Sequence, residues 1–167
     1  MTHHASAQPT AAVATRDPRP ALLAAAIVAG VILLQQLVNL TRSLGWIGDE
    51  SYLTGVLLPF LNGLLVDVVA FSAGVFLLLW LLPVRPHDRV TVVLAKGLAA
   101  AAAGVVVATV VGFVVMLISQ GIWTLGDARY YSGYNPFLDL LPQLLVRAPL
   151  VMLVVLVLWV LRRVPRA

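Results

Sequence analysis

Two side chains of opposite charge, Asp67 and Arg147, interrupt long apolar stretches of this sequence. A charge in the hydrocarbon of a membrane costs about 2.5 to 3.5 kcal/mol on insertion scales, so such a residue normally has a partner. Asp67 lies 13 residues before Trp80, and Arg147 lies 12 residues before Trp159. If the two tryptophans mark the same membrane surface, a rise of about 1.5 Å per helical residue puts the two charges within about 2 Å in height. The sequence therefore predicts that Asp67 and Arg147 pair.

Five further polar side chains occur in the apolar stretches and extend this pair into a candidate polar layer. The layer comprises Gln35, Gln36, Asn39, Asn62, Asp67, Gln143 and Arg147. Gln143 precedes Arg147 by one helical turn, so both are expected on one helix face. Pro59 and Pro149 stand close to the layer and are expected to weaken backbone hydrogen bonding there, because proline has no N–H to donate.

Two interpretations of this polar layer stay open from the sequence. In the structural interpretation, the Asp67–Arg147 pair and the amide hydrogen bonds join the helices. In the functional interpretation, the layer lines an outward-facing polar cavity, and the pair acts as its gate or relay. Hydrogen bonds within membranes contribute only about 0.6 kcal/mol each on average, so a structural role has a modest energetic basis. Alternatively, the long side chain of Arg147 extends to the outer surface, which would leave Asp67 without this partner.

Small residues recur on one face of the third apolar stretch at intervals of three or four residues. These are Gly97, Ala101, Gly104, Ala108 and Gly112. Small side chains at this spacing let helix backbones approach closely, which predicts a packing surface; the alternative is a smooth wall beside a substrate path. In the second stretch, Asp67 shares its face with Gly63, Ala70 and Gly74. We therefore expect its carboxylate to point towards other helices rather than towards lipid.

Long apolar helices are the elements that must position these residues. The sequence is 61% hydrophobic and 11% charged, far from the usage of soluble domains. Four apolar runs, at about residues 21–41, 54–82, 90–119 and 137–161, exceed the length of about 20 residues that crosses a bilayer core. The predicted fold is an all-α integral membrane protein, a four-transmembrane-helix bundle over residues 21–163. Residues 1–20 lack apolar periodicity and are expected to form a disordered cytoplasmic tail, and residues 164–167 a basic cytoplasmic end.

Charge in the connecting segments predicts the orientation of the bundle. Only Arg42 and Arg129 occur in two of the loops, whereas the remaining loop and the two terminal segments hold the arginines Arg16, Arg19, Arg85, Arg89, Arg162, Arg163 and Arg166. The positive-inside rule therefore places both termini in the cytoplasm. Tryptophans near the ends of the runs are expected in interfacial belts; they are Trp46, Trp80, Trp123 and Trp159. The excess of Arg over Lys indicates a high-GC bacterium, so the predicted location is the cell (inner) membrane.

Motifs of catalysis, metal binding and nucleic-acid binding are absent from the sequence. It contains no cysteine, and its three histidines are His3, His4 and His87, none of them in an apolar run. A zinc site or an HExxH motif is therefore not expected. The net charge of +4 does not indicate nucleic-acid binding, because the basic residues flank apolar runs instead of clustering on a polar surface. We predict no catalytic residue, no cofactor and no metal.

The predicted function is that of a non-catalytic multi-pass membrane protein, an accessory or structural subunit of a membrane assembly. Its expected partners are the lipid bilayer and either a second copy of the chain or another membrane protein, without nucleic acid. The first alternative is a small oligomeric transporter or channel-like protein with an outward-facing polar cavity. The second is a lipid-modifying membrane enzyme. Water access to Asp67 distinguishes the subunit from the transporter.

Overall fold

The computed structural model describes residues 17–42, 53–120 and 138–163 of the chain. Within these residues, four helices are long and apolar enough to cross a membrane. They are α1 (Arg19–Arg42), α2 (residues 53–81), α3 (Val90–Gln120) and α4 (Leu140–Arg163). The predicted all-α architecture is thus confirmed for the described residues, with each helix end close to its predicted place. Most of the predicted tail, the two longer loops and residues 164–167 lie outside the described residues.

Helix α2 departs from regular α-helical geometry on both sides of Pro59. Its consecutive segments are π-helical Leu53–Leu57, α-helical Leu58–Gly63, π-helical Leu64–Ala70 and α-helical Phe71–Leu81. Proline removes one donor from the helix, as expected from the sequence. Asp67 lies in the second π-helical segment, and π turns occur frequently at functional sites. Pro149, by contrast, lies inside an uninterrupted α4.

The four helices form one bundle in which α3 makes the most extensive contacts. It packs most extensively against α4 and against the Phe71–Leu81 part of α2, while α1 packs against α2 and less extensively against α4. The start of α1, the turn after α2 and the end of α4 line a common pocket, so they lie at one end of the bundle. We call this the basic end; its basic residues are Arg19, Arg85, Arg89, Lys96, Arg162 and Arg163.

The turn between α2 and α3 is held to both α3 and α4. It closes on itself through the Arg85 N–H, which donates to Asp88 Oδ2 at 2.9 Å. Lys96 of α3 donates to the same carboxylate at 2.7 Å and to the carbonyl of Pro83 at 2.8 Å. These hydrogen bonds, that of Lys96 first, hold the pKa of Asp88 below its ordinary value. Arg163 of α4 donates to the Asp88 carbonyl at 3.0 Å, so three helices meet at this turn.

The close-packed core occupies the half of the bundle nearer the basic end. Its fully buried large side chains are Val28, Phe71, Val75, Val93, Val105 and Val151. Beyond the level of Ile32 in α1 and Ala108 in α3, none of the described residues is buried. In α4 the same change occurs before Ala148, one residue after Arg147. The candidate polar layer therefore begins where the close packing ends.

Glycines and alanines allow the backbone of α3 to approach those of α2 and α4 in this core. A Cβ added at Gly74 of α2 would lie 2.7 Å from both the Ala103 carbonyl oxygen and the Gly104 Cα of α3. A Cβ added at Gly97 would lie 3.1 Å from the Cα of Met152 in α4. Two further members of the small-residue face, Ala101 and Ala108, are buried. The face thus contacts both α2 and α4, because only small residues permit backbones this close.

The two described tryptophans lie at the basic end, but their side chains differ in exposure. Trp80 is 40% exposed, whereas Trp159 is only 5% exposed and belongs to the core. The guanidinium of Arg163 stacks on its ring at 3.8 Å. The direction of the Trp159 side chain depends on which face of α4 meets α1 and α3.

Candidate functional site

Asp67 and Arg147 are in direct contact, as their calculated heights predict. Arg147 Nη2 of α4 lies 2.5 Å from Asp67 Oδ1 of α2. The Arg147 side chain is 19% exposed and the Asp67 side chain 28% exposed, so the pair is largely removed from solvent. Paired charges avoid most of the cost that each would have alone in an apolar medium. The guanidinium therefore points towards Asp67 of α2.

Gln36 brings α1 into the same network. Its Nε2 donates to Asp67 Oδ2 at 3.0 Å, so each oxygen of the carboxylate accepts a hydrogen bond from a different helix. Gly63 makes room for this amide, because a Cβ added there would lie 3.1 Å from Gln36 Nε2. Asp67 thus joins α1, α2 and α4 at one level of the bundle.

The ring of Phe71 packs against the Arg147 guanidinium, a contact that the sequence analysis does not predict. The Arg147 Cζ lies 4.9 Å from the centre of the Phe71 ring, within the range of a cation–π interaction. Phe71 is fully buried, and its ring lies where a Cβ on Gly104 would approach to 2.8 Å. An aromatic residue one turn after an acid in an apolar run is the signal that points to this role. Through Phe71 the network extends to α3.

A polar cavity of about 200 Å³ adjoins the pair between α1 and α4. Its polar lining consists of Gln35, Gln36, Asn39, Asp67 and Arg147, and its apolar lining of Ile32, Val146 and Leu150. A second cavity of about 190 Å³ lies between α1 and the first part of α2 and shares Gln36 and Asn39 with the first. Each has polar groups and the volume for several water molecules.

Two residues of the candidate layer lie apart from these cavities. Asn62 is on the exposed surface of α2, although hydrogen bonding within the bundle was expected for it. Gln143 is half-buried one turn before Arg147 in α4, and it lines neither cavity. Gln35 and Asn39 are exposed along α1 and line the first cavity. The layer therefore divides into a connected cluster around Asp67 and two separate amides.

The cluster can hold a hydrogen-bonding solute or water, and its charges are balanced within the chain. One guanidinium atom, Arg147 Nη1, is buried without a hydrogen-bond partner among the described residues. These residues include no group of three or more His, Cys, Asp or Glu that is placed to hold a metal ion. The geometry thus offers positioned donors and acceptors beside a polar space, and one ion pair that links helices.

Comparison of the chain with protein-family models, with curated proteins and with solved structures finds no match.

Proposed function

We propose that this chain is a non-catalytic multi-pass protein of the bacterial cell membrane that serves as an accessory or structural subunit of a membrane assembly. The observation that carries the proposal is the engagement of Asp67: both of its oxygens are occupied by side chains of neighbouring helices. A carboxylate shared between side chains of two neighbouring helices in this way stabilises the arrangement of those helices. The contact of the small-residue face with two helices supports the same role.

The proposed orientation has both termini in the cytoplasm. It is supported by the basic end, where the described residues include six basic side chains but only the carboxylates of Asp17 and Asp88. We expect reporter fusions after Val84 and at the C-terminus to read cytoplasmic, and a fusion near Gly126 to read external, by the positive-inside rule. A cytoplasmic signal from the fusion near Gly126 would contradict this topology.

A small oligomeric transporter is the second candidate, and the cavity beside Asp67 favours it. Its lining combines three carboxamides with a charge pair, which is more polarity than helix packing requires. The close-packed half of the bundle, with Phe71 and Val105 fully buried, closes the path towards the basic end within one chain. Transport would therefore need either a rearrangement of the helices or a path between copies.

Water access at the cavity separates the two candidates, and the absence of cysteine makes the measurement clean. Gln35 lines the cavity, while its neighbour Leu34 is 62% exposed elsewhere on α1. For a subunit, we expect both Gln35→Cys and Leu34→Cys to resist a charged, membrane-impermeant thiol reagent in intact membranes, because lipid or protein covers them. Labelling of Gln35→Cys alone would favour the transporter and overturn the subunit proposal.

A further inference from the structure

At the basic end, a small pocket lies between three helices, far from the Asp67 cluster. Its volume is about 60 Å³, and it is lined by the first turns of α1 and the last turns of α2 and α4. Its walls are apolar, including Ala21, Leu79 and Val155. Two of its lining residues, Trp159 and Arg162, carry hydrogen-bond donors. This combination of an apolar wall and donors differs from the carboxamide lining of the other cavities.

The indole N–H of Trp159 is a donor with no partner among the described residues. The side chain is 5% exposed, and its Nε1 is buried without a hydrogen bond. A buried tryptophan N–H usually finds an acceptor, because leaving a donor unpaired in the interior costs about 1 to 3 kcal/mol. Trp159 is one of the residues that line the pocket, so an acceptor that enters the pocket meets the side chain that carries this N–H.

Charge at this end favours an anionic acceptor. Arg162 lines the pocket, while its neighbour Arg163 is already engaged by the carbonyls of Pro86 and Asp88 at 2.7 and 3.0 Å. Asp17 also lines the pocket, but its carboxylate lies 4.0 Å from the guanidinium of Arg19, which offsets its charge. Among the described residues of the basic end, positive charge therefore exceeds negative charge beside an unpaired donor.

We infer that this pocket binds the phosphate group of an anionic phospholipid, with Arg162 and the Trp159 N–H as donors. A space of about 60 Å³ holds roughly four to six water-sized groups, which suits a phosphate but not a whole lipid. The acyl chains would lie outside, along the exposed apolar flanks of the helices. Basic pockets between helices on the cytoplasmic side are a known form of lipid recognition. The inference rests on the membrane insertion proposed above.

The test compares phosphatidylglycerol with phosphatidylcholine bound to the purified full chain, measured by native mass spectrometry from neutral detergent. We expect a preference for phosphatidylglycerol that falls about tenfold in Arg162→Gln and about fivefold in Trp159→Phe, since each removes one donor to the phosphate. Arg89→Gln and Trp80→Phe are matched controls at the same end that do not line the pocket, and each should keep the preference.

Three results would overturn the inference. They are equal binding of the two lipids, an equal loss in Arg162→Gln and Arg89→Gln, and displacement of the lipid by millimolar inorganic phosphate, which would assign the site to free phosphate. Arg162 is exposed, so its variant is expected to fold. Thermal unfolding of the variant in detergent without added lipid checks this. The reporter fusions measure insertion independently. If the unmodified chain shows no preference for phosphatidylglycerol while the reporter fusions read as expected, the lipid site is rejected and the membrane insertion is not.

Discussion

Replacing Asp67 by asparagine is expected to lower the free energy of unfolding by about 3 kcal/mol. The change leaves the Arg147 charge unpaired in a site where its side chain is only 19% exposed. Breaking a buried pair costs about 3 to 5 kcal/mol, and the remaining exposure places this case near the lower value. Thermal unfolding of the purified protein in detergent would show the loss. Asp139→Asn, at an exposed acid just before α4, should change stability by less than about 0.5 kcal/mol.

The double variant Asp67→Asn with Arg147→Gln tests whether the two residues act together. Removing both charges leaves two neutral amides at the same level, so most of the lost stability should return. Residues in direct contact show coupling energies of about 0.5 to 3 kcal/mol in double-mutant cycles. Losses that simply add would show that the pair does not stabilise the bundle. The structural role of Asp67 in the proposed subunit would then have no support.

Replacing Gly74 by alanine is expected to destabilise the bundle by about 1 to 3 kcal/mol. The new Cβ would lie 2.7 Å from the Ala103 carbonyl oxygen and the Gly104 Cα, and both atoms belong to the backbone of α3. Backbone atoms cannot rotate away as a side chain does, so α2 and α3 would have to separate. That separation would also disturb Phe71, whose ring contacts both Gly104 and the Arg147 guanidinium. Thermal unfolding is again the measurement.

Gly30→Ala provides the matched control for this prediction. Gly30 lies in the middle of α1, and a Cβ added there meets nothing within 4 Å. Alanine in a helix interior is favoured over glycine by about 0.5 to 1 kcal/mol, so this variant should be neutral or slightly more stable. If Gly74→Ala and Gly30→Ala behaved alike, the close approach of α2 and α3 would not be a determinant of stability.

Much of the candidate site was accessible from the sequence because its geometry follows helical spacing. Counting residues from Trp80 and Trp159 placed Asp67 and Arg147 at one height, and the two side chains are in contact. The same reasoning grouped Gln35, Gln36 and Asn39 on α1, which line the adjoining cavity. It also put Asn62 in the layer, but the structure has it on the exposed surface of α2. A periodicity argument gives the height of a residue more reliably than the neighbour that its side chain meets.

The sequence by itself determined that the chain forms long apolar helices, where each begins and ends, and which residues lie at the depth of the charge pair. These properties depend on composition and on a fixed rise per residue, and both are local. Tertiary structure alone decided that close packing stops at the level of Arg147, that Phe71 supports its guanidinium, and that Trp159 turns inward. Those features depend on which helix faces meet, and the π turns around Pro59 alter the faces that α2 presents. Spacing within one helix can mark Phe71 as a candidate, but which helix faces meet is decided only when four helices pack together.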